Sequence, residues 1–131
     1  RNSDKIYTER YLGLPQENAE GYFLSRAVME WFAGHYLSQA NEGADWRASP
    51  LRAPSLAGVA PAVVCTAYFD PLRDEGESYA DALEKAGIAT KRHRGPGLIH
   101  GFFGMGDASP AARAEAEKAR ADFKAMLARG A

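Results

Sequence analysis

Two residues in the second half of this sequence, an aspartate and a histidine, have the types and the spacing of a catalytic pair. Asp70 ends the apolar run "AVVCTAYF" at residues 62–69, and Pro71 follows it directly. Proline favours an extended backbone at the residue before it, so we expect the Asp70 carboxylate to project outward from a strand end. His100 lies further on, within "GPGLIHGFFGMG". A carboxylate that orients an imidazole is the arrangement used in general-base catalysis.

The elements around this pair are predicted to alternate between strand and helix. Residues 62–69 are apolar without alternation, which is typical of a central parallel strand that is covered on both faces. The elements predicted after it are a helix over about Glu75 to Ala86, a basic strand from Ile88 to Arg94, a glycine-rich loop and a helix from Ser109–Pro110 to about Arg129. This order predicts a right-handed parallel α/β unit, and the carboxyl ends of its neighbouring strands bring Asp70 and His100 together.

Local signals refine this picture at the helix start and at the histidine. Asp74 and Glu77 are predicted to form a cap-like pair at the start of the first of these helices. Gly97 and Gly101 flank "LIH" and allow the sharp backbone path that would aim His100 back toward the strand ends.

The first half of the chain is predicted to contain one helix between irregular segments. Residues 1–18 are polar, with Gly13 and Pro15 marking turns. A helix with a wide apolar face is predicted from Ser25, as its N-cap, to about Leu37. Three prolines and many small residues indicate a connecting loop over 38–61.

Composition and charge exclude several classes of partner. The chain has 131 residues, 46% of them hydrophobic, and a formal net charge of -1, which argues against nucleic acid or an anionic membrane as its main partner. No apolar run is long enough to cross a bilayer. The three histidines lack metal-ligand spacing, and the single cysteine, Cys65, is predicted to be a buried structural thiol. We therefore expect a cytoplasmic protein with no metal or organic cofactor.

The paired motifs resemble one known family. "DPLRDEG" (70–76) followed by "LIHGFF" (98–103) resembles the carboxy-terminal part of the hormone-sensitive-lipase-like esterases, which have an α/β-hydrolase fold. "ENAEGYFLSRAVMEWFAGHYL" (17–37) and "SPL" (49–51) are also similar to that family. The resemblance implies that residues 1–50 are a cap-region helix with its connecting segment, and that residues 51–131 are the carboxy-terminal part of the catalytic domain.

The resemblance also implies roles for individual residues. Asp70 and His100 match two members of the family's Ser-Asp-His triad. Aromatic side chains of the cap region would wall an apolar site for a small uncharged ester, and the candidates are Tyr22, Phe23, Trp31 and Phe32. The family's "HGGG" oxyanion loop and its serine in a "GDSAG"-like elbow have no match in this sequence. Ser78, in "GESYA", is expected within a helix and after the acid, so it is a poor candidate for the nucleophile.

Two functions remain open on the sequence alone. The first is a carboxylesterase whose serine is supplied by a missing amino-terminal segment or by another chain, so that this chain alone is inactive. The second is a non-catalytic remnant that acts as an interaction module through its last strand and long helix, since exposed sheet edges favour pairing. Because large apolar surfaces would otherwise be uncovered, we expect a partner segment or a self-associated copy.

Overall fold

The structure is a computed structural model that describes residues 18–130, and in that range it contains three α-helices and two parallel strands. These elements are α1 (Arg26–Tyr36), β1 (Ala62–Phe69), α2 (Arg73–Lys85), β2 (Thr90–Ile99) and α3 (Pro110–Gly130). Short 3₁₀ helices cover Ala40–Ala44, Pro50–Arg52 and Phe102–Gly104. The turns predicted at Gly13 and Pro15 lie outside the described residues.

The sheet consists of β1 and β2, and the second strand is longer than the sequence predicted. The strands pair in parallel from Ala62 opposite Thr90 to Ala67 opposite Gly95, and pairing resumes where Phe69 faces Ile99. β2 therefore holds two more residues than β1 between these pairs, which makes a bulge. Gly97 lies in that bulge with a φ of 70°, a conformation that glycine adopts without strain. The prediction that the strand ends at Arg94 was wrong because pairing continues across the bulge.

Helices cover both faces of β1. Thr66 faces α2, where its Oγ1 donates a hydrogen bond to Oε1 of Glu77 over 2.6 Å. The next residue, Ala67, points to the other face and packs with Leu98, Phe102 and Ala112 in the core. This two-sided burial explains the apolar run without alternation. β1 pairs with no strand other than β2 within residues 18–130, so its predicted central position is not seen in that range.

The start of α2 differs from the predicted cap. The helix begins at Arg73, and no side chain caps it at Leu72. Asp74 instead forms an ion pair with Arg73, and Glu77 accepts from Thr66 and Arg94. The cap-like pair was therefore wrong, because both carboxylates have nearer donors. The end of α2 was predicted correctly, since Gly87 follows it with a φ of 78°.

The basic residues of β2 bind carboxylates on both flanking helices. On the α2 side, Arg92 forms ion pairs of 2.6 Å with both Asp81 and Glu84. On the α3 side, Nε2 of His93 lies 3.0 Å from Oδ2 of Asp122, and the His93 side chain is only 11% exposed. These contacts hold His93 in the packing between β2 and α3.

The remaining helices follow the predicted boundaries closely. Ser25 is the N-cap of α1 and accepts a hydrogen bond from the backbone N–H of Val28. α3 buries the small side chains of Ala112, Ala116 and Ala119. No helix within residues 18–130 is both long enough and apolar enough to span a membrane.

Candidate active site

Asp70 and His100 lie together at the carboxyl ends of the two parallel strands. β1 ends at Phe69 and β2 ends at Ile99, so each side chain follows its strand directly. Oδ2 of Asp70 lies 2.9 Å from Nδ1 of His100, within hydrogen-bond distance. The prediction that these two side chains face each other is confirmed.

The aspartate is the fixed member of this pair. Its second oxygen, Oδ1, accepts a hydrogen bond of 2.8 Å from the backbone N–H of Leu72. The Asp70 side chain is 11% exposed, whereas that of His100 is 38% exposed. A carboxylate that accepts from Nδ1–H leaves Nε2 as the ring nitrogen with a free lone pair. No residue in the range 18–130 forms a hydrogen bond with Nε2 of His100.

Two features of the chain aim the histidine back toward the strand ends. Gly101 follows it with a φ of 78°, a left-handed conformation that turns the backbone sharply. Phe102, two residues after the histidine, is 5% exposed and packs into the core cluster, which anchors the loop. The glycine-dependent turn predicted from "LIHG" is therefore confirmed.

His100 and Asp70 line a cavity of about 380 Å³ that is open to solvent. Its other walls come from β1, from α2 and from the 3₁₀ helix Pro50–Arg52, and they include the side chains of Leu51, Leu72 and Tyr79. No serine among the described residues lines this cavity. The cavity therefore presents the hydrogen-bonded His100–Asp70 pair in a mainly apolar wall.

Glu75 also lines this cavity, although no sequence pattern singles it out. Its side chain is half-buried, and it forms no hydrogen bond or ion pair with any residue in the described range. Burial raises the pKa of the Glu75 carboxyl above its ordinary value of 4.5.

The other potential nucleophiles are poorly suited to this site. Cys65 lines the cavity, but burial and then the charge of Glu115 raise the pKa of its thiol, which disfavours the reactive thiolate. Ser78 is exposed on α2, and its Oγ donates a hydrogen bond of 2.7 Å to the carbonyl of Asp74. No cluster of His, Cys, Asp and Glu side chains within residues 18–130 is arranged to hold a metal ion.

The four candidate substrate-binding aromatics divide into two pairs, and none of them lines this cavity. The Tyr22 ring stacks on the ring of Phe69, the residue before Asp70, at a centroid distance of 4.8 Å. Phe23 lies against Gly101, and a Cβ added to that glycine would be 3.5 Å from the Phe23 ring. Trp31 and Phe32 contact each other on α1, where both are about 60% exposed. Contact between these residues and substrate stays a prediction.

Asn18 is a further residue of the site region that the sequence did not indicate. It is 5% exposed, and its Nδ2 donates a hydrogen bond of 3.1 Å to the carbonyl of Tyr68, near the end of β1. Arg73 donates to the same carbonyl over 3.0 Å. The Asn18 bond joins residues 50 positions apart, so no local pattern announces it.

Comparison with known proteins agrees with this geometry. A family model described as the α/β-hydrolase fold matches residues 5–104. This chain belongs to the α/β-hydrolase family. The resemblance to the hormone-sensitive-lipase-like esterases, stated above from the motifs around Asp70 and His100, is thereby confirmed, as is the parallel α/β fold class.

Individual relatives of this α/β-hydrolase are named esterases. The carboxylic ester hydrolase LipN of Mycobacterium tuberculosis is 48% identical over 65% of this chain and 23% of its own length. The ethyl acetate hydrolase of Pseudomonas putida is 38% identical over 70% of this chain and 29% of its own. The thermophilic carboxylesterase EstE1, cloned from a metagenomic library, is 39% identical with a TM-score of 0.78 over 83% of this chain and 37% of its own. The chain thus spans well under half the length of these relatives.

Proposed function

We propose that this chain supplies the acid and the base of a Ser-His-Asp carboxylic ester hydrolase. The observation that carries the proposal is the 2.9 Å contact between Asp70 and His100 at neighbouring parallel strand ends. An acid that precedes its histidine, each at a strand end, is the order that α/β-hydrolases use. The relatives described above, which are named ester hydrolases, support the same reaction class.

The proposed mechanism uses both nitrogens of His100. Nε2 accepts the proton of a serine hydroxyl while the serine oxygen attacks the ester carbonyl. The imidazolium then donates that proton to the leaving alcohol, and a water molecule repeats the cycle to release the acid. Asp70 holds the proton on Nδ1 through the 2.9 Å contact and stabilises the imidazolium. None of these steps requires a metal or an organic cofactor.

The serine and the oxyanion donors are proposed to come from polypeptide outside these 131 residues, either an amino-terminal segment or another chain. This covering polypeptide would occupy the cavity at His100 and the free edge of β1. It would also cover large apolar side chains that are exposed in this structure, among them Leu51, Tyr68 and Phe123. A second copy of the chain is an alternative source of cover, which would make the protein a homo-oligomer.

A small uncharged ester is the proposed substrate class. The apolar rings of Tyr22 and Phe23 lie close to the strand ends that carry Asp70 and His100, which supports an uncharged substrate. We propose that these two aromatics, with Trp31 and Phe32 of α1, contribute to the substrate site once the covering polypeptide is present.

The test compares the chain alone with a chimera in which it replaces the matched part of LipN. The chain alone is expected to hydrolyse a short-chain p-nitrophenyl ester no faster than its own His100→Ala variant, because the nucleophile and oxyanion donors are absent. The chimera is expected to turn over the same ester and to lose at least about 10³-fold in kcat with His100→Ala. Glu117→Ala is the control, because Glu117 is exposed on α3 and does not line the cavity.

Three results would contradict the proposal. Full activity of a folded chimera without His100 would exclude its role as the base. Saturable turnover by the chain alone that Ser78→Ala abolishes would identify Ser78 as the nucleophile. A folded chimera without any esterase activity would favour the other function, an interaction module.

A further inference from the structure

Glu75 differs from every other acidic residue of α2 in having no partner. The other four carboxylates of the helix all form ion pairs with arginines: Asp74 with Arg73, Glu77 with Arg92 and Arg94, and Asp81 and Glu84 with Arg92. Glu75 has neither an ion pair nor a hydrogen bond with any residue in the described range. Its half-buried side chain lines the same cavity as His100.

This arrangement is less favourable than a carboxylate with a hydrogen-bond donor, although the Glu75 oxygens still reach the solvent-open cavity. A charged group that is partly withdrawn from water without gaining a hydrogen bond loses part of its hydration energy, and burial accordingly raises the pKa of Glu75. The amino terminus of α2 attracts negative charge, but Asp74 occupies the same first turn and is 43% exposed. Asp74 does not line the cavity whereas Glu75 does, so the helix terminus does not by itself account for a carboxylate in the cavity wall.

We propose that Glu75 anchors the serine-bearing segment over this cavity, and that the segment brings an N–H donor to the Glu75 carboxylate. The inference rests on the proposed function, which requires that segment to deliver its serine to Nε2 of His100. Glu75 and His100 line one cavity, and both have polar atoms without partners among the described residues. A segment that enters the cavity to reach the imidazole therefore also reaches the carboxylate.

The size of the relatives gives the covering segment a source. LipN is matched over 23% of its length, so most of that protein lies outside the matched part. The chimera with LipN, described above, supplies this polypeptide as a defined probe. The proposal predicts that Glu75 disfavours folding of the chain alone and favours folding of the chimera.

Glu75→Met tests whether Glu75 has opposite effects on the stability of the chain alone and of the chimera. Methionine is suitable because it is unbranched, similar in length and unable to accept a strong hydrogen bond. In the chain alone, we expect the variant to raise the melting temperature by about 3 °C, since it removes an unpartnered charge. In the chimera, we expect the same variant to lower the melting temperature by about 2 °C or more, since it removes an anchor. Glu117→Met, at an exposed position of α3, is expected to leave both proteins unchanged.

The stability that Glu75→Met adds to the chain alone must also become smaller as pH falls. The pKa of Glu75 in the folded chain is raised above its ordinary value of 4.5. The free-energy cost of its charge to folding is therefore absent below about pH 4.5, and it develops as pH rises through the folded pKa. A gain that persists unchanged in more acidic buffer would show that Glu75→Met acts by packing, and it would overturn the inference.

The remaining outcomes separate this inference from the proposed function. A rise in melting temperature in both proteins would show that the carboxylate stays unpartnered, and a chimera that does not fold would show that the cavity does not accept this segment. Either result would refute the proposal that Glu75 anchors the serine-bearing segment. A chimera that lacks esterase activity but is destabilised by Glu75→Met would retain the anchor and refute the proposed function.

Discussion

Replacing Asp70 by asparagine separates the chemical role of the acid from its structural role. The aspartate accepts from Leu72 N–H through Oδ1 and from His100 Nδ1 through Oδ2. In Asp70→Asn, the amide oxygen can keep the bond from Leu72, while the amide NH₂ faces Nδ1 and can only donate. His100 would then carry its proton on Nε2, the nitrogen that accepts the serine proton in the proposed mechanism.

The two bonds also determine the size of the expected effects. Because asparagine retains both hydrogen bonds in altered form, we expect the free energy of unfolding to change by less than about 1 kcal/mol. Asp70→Ala loses both bonds and should cost about 1–3 kcal/mol. In the LipN chimera, the wrong tautomer should lower kcat by about 10³- to 10⁴-fold, equivalent to roughly 4 to 5.5 kcal/mol of transition-state stabilisation.

Two measurements test this reasoning. Two-bond ¹H–¹⁵N correlation spectra of the chain alone should show the neutral His100 proton on Nδ1, and on Nε2 in Asp70→Asn. Denaturant titration of the same proteins gives the stability difference. If the proton stays on Nδ1 in the variant, or if the chimera keeps kcat within threefold of its parent, Asp70 does not orient the base.

Two further predictions concern the packing of α2 on the sheet. Gly76→Ala should destabilise the chain by about 1–3 kcal/mol in denaturant titration, because its Cβ would lie 2.9 Å from Cγ2 of the buried Thr66. In the control, Gly34→Ala of α1, the new Cβ meets nothing within 4 Å, so this variant should be neutral or stabilising. Burial works to raise the pKa of Glu77, but hydrogen bonds from Arg94 and Thr66 and the charges of Arg94 and Arg92 outweigh it and lower that pKa below 4.5. Glu77→Gln should therefore destabilise the chain near neutral pH, with a difference that shrinks as pH falls through the folded pKa of Glu77; a difference that does not change with pH would contradict this account.

The sequence predicted β1 with its observed limits, and α1 and α3 with nearly their observed limits, because each has a strong local signal. β1 is marked by an unbroken apolar run, α1 by a serine cap, and α3 by Ser109 and Pro110 at its start. Each signal acts within a few residues, so it can be recognised without knowledge of the neighbouring elements. The extent of β2 was missed because Pro96 and Gly97 indicate a turn locally, while pairing with β1 carries the strand through a bulge as far as Ile99.

The start of α2 shows the same limit of local reading. Its carboxylates find partners on other elements, such as Thr66 of β1 and Arg94 of β2, and these partners override the cap that the sequence suggests. Side-chain partners across elements depend on register and distance, which local patterns do not contain.

The sequence by itself determined the two residues of the candidate site, since an acid before proline and a histidine between glycines, each near a predicted strand end, required no coordinates. Only the tertiary structure brought Asp70 and His100 to 2.9 Å and gave Nδ1 and Nε2 different environments. Only the structure also distinguished Glu75 from its acidic neighbours on α2 and revealed the Asn18 bond across 50 positions. Residue types and strand ends are encoded locally, whereas burial and the pairing of polar atoms arise when separate elements pack together.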